Sequence, residues 1–227
     1  MTRVAIAGVL GRLGTVAKKA VDAADDLTFA GGFARAADPQ ARIYDDVDAL
    51  LAAETPDVLL DVTTHPVSVD VTMRALARGV RPVVGATGWS EAERAALAAE
   101  AERTGLGALV VPNFALGAVL MMRFAREAAR YFPAAEIVEM HHAGKKDAPS
   151  GTARATAEAM GGDVPIHSVR LPGAVAHQEV LFGGEGELLA IRHDALSRDA
   201  FAGGIVAAVR AVGGLRGVHV GLDGILG

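Results

Sequence analysis

Val4-Ala5-Ile6-Ala7-Gly8-Val9-Leu10-Gly11-Arg12-Leu13-Gly14-Thr15-Val16-Ala17 passes from an unbroken apolar stretch through spaced glycines into a helical pattern. Val4 to Gly8 reads as a buried strand. Arg12 to Ala24 reads as a helix whose inner stripe is Leu13, Val16, Ala17 and Ala20. Gly8, Gly11 and Gly14 between them permit a tight turn and let the backbone approach a pyrophosphate at the helix N-terminus. The spacing is a variant, with Leu10 where the usual dinucleotide fingerprint has glycine. On spacing alone an ordinary strand-to-helix turn is an equal reading, and the place inside a strand-helix-strand unit is what favours a nucleotide.

Outward from that turn the alternation continues. Leu27 to Phe33, Asp57 to Val62, Pro82 to Gly85 and Leu106 to Val111 read as strands, and Asp45 to Ala53 and Val67 to Arg78 as helices. Ser90 caps a further helix through Thr104, with Glu93 as its capping-box partner. Such alternation predicts a Rossmann-type, doubly wound parallel sheet covered on both faces. After Pro112 the pattern changes. A helix over Gly117 to Tyr131 precedes the alternating segment Glu136 to His142, a short helix from about Ser150, and the strand candidates Ile166–Leu171, Val175–Phe182 and Glu187–His193. Strands joined without helices predict a second, α+β domain on a mixed or antiparallel sheet. Phe201 to Val212 is helical again, and Val218–Val220 returns to the first sheet. The expected division is residues 1–112 and 198–227 for a dinucleotide-binding domain and 113–197 for a substrate-binding and oligomerisation domain.

Composition removes several classes of function. The 227 residues carry 22 Lys plus Arg against 27 Asp plus Glu, a net charge of −5, which argues against a nucleic-acid partner. Cysteine is absent, so there are no disulfides, no thiolate metal site and no Cys nucleophile. No apolar run approaches the roughly 20 residues that span a bilayer, and the apolar stretch before Arg12 is too short for a signal sequence. The expectation is a cytoplasmic protein with no membrane partner. Hydrophobic residues make up 51 % but aromatic ones only 4 %, which predicts an aliphatic core.

Loops leaving the carboxyl ends of the strands are where a ligand is expected. Phe33-Ala34-Arg35 has no carboxylate where an acid normally holds the adenosine ribose, and Arg35 there suits a 2′-phosphate as well as it suits an ordinary surface position. Asp38 is a second candidate for the ribose. Gly85-Ala86-Thr87-Gly88 and Pro112-Asn113-Phe114-Ala115 suit a nicotinamide-ribose platform, and equally suit plain turns.

The densest chemistry lies in Glu139-Met140-His141-His142-Ala143-Gly144-Lys145-Lys146-Asp147-Ala148-Pro149-Ser150-Gly151-Thr152-Ala153. Adjacent histidines on a strand point to opposite faces and take different jobs, one as a proton donor and the other as a ligand contact or structural group. Lys145 offers a cation, and Ser150-Gly151-Thr152 offers amides and hydroxyls at a helix start, together an anion site. A metal needs three or four convergent ligands, and lysines beside the histidines repel a cation, so no metal is expected.

This stretch resembles the signature of the 4-hydroxy-tetrahydrodipicolinate reductase (dihydrodipicolinate reductase) family of lysine and diaminopimelate biosynthesis. The resemblance runs nearly end to end, through Gly8–Gly14, Asp61-Val62-Thr63, Gly85–Trp89, Pro112–Val119, Ala176–Phe182, Ile191–Asp194 and Ser197-Arg198, and its late segment is most similar to the actinobacterial branch. It implies NADPH and/or NADH as hydride donor, a small cyclic dicarboxylate substrate and a homotetramer built through the substrate-domain sheets. It implies hydride delivery to ring C4, with His141 as proton donor and Lys145 as catalytic lysine. His142, Ser150, Gly151 and Thr152 match substrate contacts. Gly8, Val9, Leu10, Gly11, Arg12, Leu13, Gly85, Ala86, Thr87, Pro112, Asn113, Phe114 and Ala115 match cofactor contacts.

The chain departs from the family pattern at Ala143-Gly144, at the missing acid of position 34, in the short connection from Ala159 to Ile166, and in the longer turn Thr63-Thr64-His65-Pro66. Two other classes share part of the pattern. Another Rossmann amino-acid dehydrogenase would not need the His-His-Lys and Ser-Gly-Thr cluster, and a non-catalytic dinucleotide sensor would not need His141 together with Lys145.

Overall fold

Among the described residues, seven parallel strands form one sheet and four strands of mixed direction another. The computed structural model describes residues 1–226. The chain divides into one unit of Met1–Phe114 with the chain from Phe201 onward, and a second of Ala115–Ala200.

In chain order the first unit begins with β1 (Thr2–Ala7), α1 (Arg12–Asp22), β2 (Leu27–Phe33), β3 (Ile43–Tyr44), α2 (Val47–Glu54), β4 (Val58–Asp61), α3 (Val67–Ala77), β5 (Arg81–Val84), α4 (Glu91–Thr104) and β6 (Gly107–Val110). The second unit follows with α5 (Leu116–Ala128), β7 (Ala134–His141), α6 (Gly151–Ala159), β8 (Ile166–Arg170), β9 (Ala176–Gly184) and β10 (Glu187–Ala195). The chain then completes the first unit with α7 (Ala202–Val212) and β11 (Gly217–Val220).

The parallel sheet has the order β11-β6-β5-β4-β1-β2-β3. Its direction of growth reverses at β1, between β2 and β4, and that reversal opens the crevice in which doubly wound sheets bind ligands. Val4, Ala5, Ile6 and Ala7 on β1 and Leu59 and Leu60 on β4 have no solvent exposure, as continuous apolar runs covered on both faces require. Ala5, Ala7 and Leu59 pack with Val47, Leu50 and Leu51 of α2 and Val71 and Ala75 of α3. The expected return of the last strand is present, β11 pairing parallel with β6. The capping box of α4 is present too: Ser90 Oγ accepts from Glu93 N at 3.2 Å, and Glu93 Oε2 accepts from Ser90 N at 2.7 Å.

Two local features differ from the periodicity. β3 is only two residues long, too short to show an alternation; it forms where a turn at Pro39–Ala41 folds the chain back beside β2. α5 stops at Ala128 rather than Tyr131, which lies 74 % exposed and has no core to bind it.

The second sheet has the order β10-β9-β7-β8, with β8 parallel to β7 and the other pairs antiparallel. Ile137, Val180 and Phe182 form one face and pack on Ala125 of α5 and Ala153 and Ala157 of α6. By alternation Glu139 and His141 share that helix-covered face with Ile137. The opposite face carries Val138, Met140, Leu181 and Leu188. No helix among the described residues is long and apolar enough to cross a membrane.

Candidate active site

The glycine turn of the first unit closes on itself. Gly8 has φ of +83°, a conformation that strains any side chain, and a Cβ there would lie 3.0 Å from the Val62 carbonyl oxygen. Gly14 is tighter, since a Cβ would come within 2.0 Å of the Gly8 carbonyl oxygen. Gly11 N donates to that same oxygen at 2.8 Å. Gly11 gives α1 no side-chain cap and the first turn holds no acid. The first amides and the positive end of the helix dipole are therefore free of an anionic side chain, as a bound phosphate requires. Val9 is 3 % exposed, so its side chain belongs to the core and only its backbone can serve a ligand. Leu10 and Arg12 are exposed and Leu13 half-buried.

Ala34 is buried just past the end of β2, and Arg35 after it is exposed. Asp38 Oδ1 accepts from Gln40 N at 3.1 Å and Ala41 N at 3.3 Å, so its carboxylate already caps the turn that precedes β3. The loops after β5 and β6 meet where the Phe114 ring packs on Gly85; a Cβ on Gly85 would lie 2.7 Å from that ring. Ala86 and Phe114 are buried, Thr87 and Pro112 exposed, and Asn113 half-buried. Ala115, the N-cap of α5, is buried and is the first residue of the second unit.

Asp61 carries the part of this region to which sequence reading assigned no role. It is fully buried at the end of β4. Its Oδ1 accepts from Thr63 N at 2.9 Å and Thr63 Oγ at 2.6 Å, and its Oδ2 accepts from Ser68 Oγ. Trp89 Nε1 donates to Ser68 Oγ at 3.1 Å. Burial pushes the Asp61 carboxyl above its ordinary value, against the lowering by these neutral donors. The network ties the loop after β4 to the loop after β5. Its sequence signal is a carboxylate closing an otherwise apolar strand.

In the second unit the stretch around the histidine pair converges on one buried carboxylate. Glu139 has no exposure, and its Oε2 accepts from His141 Nδ1 at 2.6 Å. Arg170 reaches Glu139 from β8 as a two-pronged fork, Nη1 to Oε2 at 2.9 Å and Nη2 to Oε1 at 2.8 Å. Ser150 N donates to Oε1 at 3.2 Å. Burial pushes Glu139 up, but bonds from Arg170, Ser168 and His141 outweigh it and hold the carboxyl down at about 2. His141, with its side chain 15 % exposed, is held below the usual histidine value. Burial is the main cause, the Lys145 and Arg170 charges act in the same direction, and Glu139 opposes them.

His142 is exposed and lies one residue past the end of β7, so the two histidines do not share the strand. Lys145 Nζ donates to both Asp147 carboxylate oxygens at 2.8 Å, and Arg170 Nη2 holds the Asp147 carbonyl at 2.7 Å. Ser150 Oγ accepts from Ala153 N at 3.1 Å, so this hydroxyl caps α6. Gly151 is exposed with open space beside it, and Thr152 is half-buried. The structure thus gathers His141, Lys145 and Ser150 around Glu139 and Arg170, two groups to which the sequence reading gave no role. Glu139 could have been found from its spacing, two residues before His141 on one strand face. Arg170 had no local signal.

Family models of dihydrodipicolinate reductase match both parts of the chain, the N-terminal model over residues 2–114 and the C-terminal model over residues 117–226. The 4-hydroxy-tetrahydrodipicolinate reductase of Halalkalibacterium halodurans is 41 % identical over an alignment of 263 positions, gaps included, which covers 100 % of each chain. That of Geobacillus kaustophilus is 43 % identical over an alignment of 261 positions, covering 99 % of this chain and 98 % of its own. The dipicolinate-bound dihydrodipicolinate reductase from Paenisporosarcina sp. TG-14 superposes with a TM-score of 0.93 at 36 % identity, covering 99 % of both chains.

Proposed function

The chain belongs to the dihydrodipicolinate reductase family, the NAD(P)H-dependent oxidoreductases of lysine and diaminopimelate biosynthesis, and from that premise we propose how its residues divide the reduction of 4-hydroxy-tetrahydrodipicolinate. The Gly8–Leu13 turn receives the cofactor's pyrophosphate through backbone amides, a role that the uncapped start of α1 supports. Arg35 takes a 2′-phosphate, and Gly85–Thr87 with Pro112–Ala115 bind the nicotinamide half. Bound there, NAD(P)H supplies the hydride that goes to ring C4.

The substrate is a small dicarboxylate, in keeping with the dipicolinate held by the Paenisporosarcina relative. Lys145, His142 and the start of α6 at Ser150–Thr152 bind its carboxylates. Lys145 exchanges its Asp147 partner for a substrate carboxylate, so the ion pair seen here keeps the ammonium oriented until substrate arrives. The 4-hydroxyl leaves with a ring hydrogen as water, and the hydride at C4 is then matched by a proton that His141 gives to the carbon beside C4. The observation that carries this role is the Nδ1 contact with Glu139. It commits one ring nitrogen to the carboxylate and leaves Nε2 to carry the transferable proton. The free protein holds His141 below its usual value, and a bound dianion raises it, so substrate itself loads the acid.

The open face of the four-stranded sheet, with Leu181 37 % and Leu188 86 % exposed, supports a homotetramer assembled through these sheets. We place the enzyme in the cytoplasm, a setting that suits a chain without cysteine. The test is NADPH oxidation with freshly generated substrate. His141→Gln should lower turnover about 10²–10⁴-fold and leave the NADPH dissociation constant unchanged. A collapse of cofactor affinity instead would make His141 structural.

A further inference from the structure

His141 does not stand alone on β7. Glu139 lies two residues before it on the same strand face and is completely buried. The parallel register of β7 with β8 sets His141 opposite Arg170 and Glu139 opposite Ser168. Arg170 therefore rises beside the imidazole and turns its fork onto the carboxylate that the imidazole also uses. Oε2 takes His141 Nδ1 and Arg170 Nη1, while Oε1 takes Arg170 Nη2 and Ser150 N. A lone buried carboxylate at 2.6 Å from an imidazole would bind the imidazolium tightly and keep its proton. A carboxylate already forked by a guanidinium has its charge shared, and grips the imidazole by direction more than by charge.

We propose that Glu139 and Arg170 form a matched positioning pair for the proton donor: the carboxylate aims the His141 ring through Nδ1, and the guanidinium offsets the carboxylate's pull so that Nε2 can release its proton to substrate. The pair rests on the reading of His141 as that donor. It touches neither substrate nor cofactor in this role; it acts through His141. Arg170 also holds the Asp147 carbonyl, so the loop that carries Lys145 is fixed to the same hub.

The charged groups near His141 agree with this division. Glu139 faces it from its own strand, Arg170 from β8, and Lys145 from the following loop, where it is paired with Asp147. α6 contributes Ser150 at its start and the exposed Arg154, whose guanidinium is bonded to the Pro149 carbonyl. On β9, Ala176 stands opposite His141 and brings no charge. Burial leaves the histidine below its ordinary value although a carboxylate touches it, and the Lys145 and Arg170 charges add to the lowering.

The pair makes an unusual demand, because removing its two members should move His141 in opposite directions. The imidazole is titrated by NMR in the full-length, substrate-free protein and assigned by its loss in His141→Gln. Glu139→Gln should lower the His141 midpoint by about one pH unit, and Arg170→Gln should raise it by a smaller amount. Arg170→Lys keeps the charge and loses the fork, so it should leave the midpoint near that of the parent protein. In steady-state assays Glu139→Gln should reduce kcat roughly 10²-fold, with the NADPH dissociation constant unchanged. Movement of the midpoint in the same direction in both neutral variants, or no movement in Glu139→Gln, overturns the pair. Should Arg170→Gln fail to fold, Glu139→Gln and Arg170→Lys still decide the matter. If His141→Gln kept full turnover, the donor reading would fall while the titrations still reported the electrostatics. If His141→Gln lost turnover and the titrations did not move, only the pair would fall.

Discussion

Arg35 is exposed immediately after a buried Ala34, and the nearest carboxylate that could replace a ribose-binding acid, Asp38, is committed to the turn before β3. Nothing at the end of β2 repels a 2′-phosphate, and a guanidinium is at hand to pair with one. NADPH should therefore bind at least as well as NADH. Arg35→Ala should weaken NADPH by about tenfold, less if water screens the contact, and leave NADH nearly unchanged. Dissociation constants for both cofactors in both proteins decide it; equal losses would mean that Arg35 points elsewhere. This gap was legible in Phe33-Ala34-Arg35 because it depends on residue type at one strand end. The fate of Asp38 was not, since only the folded turn shows which amides its carboxylate accepts.

At the scale of elements, the start of α1 depends on what is missing. Gly14 lies where a Cβ would meet the Gly8 carbonyl oxygen at 2.0 Å, and the partner is backbone that has no room to yield. Gly14→Ala should destabilise the fold by about 1–3 kcal/mol and weaken cofactor binding, because the turn must open to admit the methyl group. Gly151→Ala is the control: with open space around it, stability should stay within about 0.5 kcal/mol of the parent. Urea unfolding of the two variants makes the comparison, and a Gly14→Ala protein as stable as the parent would refute the tight turn. Elements with their own local signal were readable. The α4 capping box is one, because Ser90 and Glu93 are within a single turn of each other. β3 was not, because two residues next to β2 acquire meaning only from the strand they pair with.

On the scale of the whole molecule, the open face of the second sheet sets the expected assembly. Leu181 on β9 and Leu188 and Ala190 on β10 share that face by alternation, and the Leu188 side chain is 86 % exposed. Leu181, Leu188 and Ala190 lie close together across β9 and β10, and an exposed apolar cluster on a sheet face marks a surface that a neighbour covers. Leu188→Glu should shift the protein from tetramer toward smaller species in light scattering, while each chain keeps its secondary structure. A parent protein that is monomeric at micromolar concentration would remove the proposed assembly.

The sequence by itself determined the architecture and the family. Strand-helix alternation requires a parallel sheet, spaced glycines after the first strand require a close turn, and the run from Glu139 to Ala153 carries enough polar groups in order to mark the reactive region. Each of these is a property of neighbours along the chain, where spacing is geometry. The tertiary structure alone decided what surrounds the reacting groups. Arg170 reaches Glu139 across 31 residues because β8 pairs with β7 in one register, and a slip of one residue would send its guanidinium to the other face. Trp89 reaches the Asp61 network through Ser68 because β4 and β5 run side by side. The charge on a buried carboxylate, and with it the behaviour of the histidine that it holds, is set by groups that only strand pairing brings within reach.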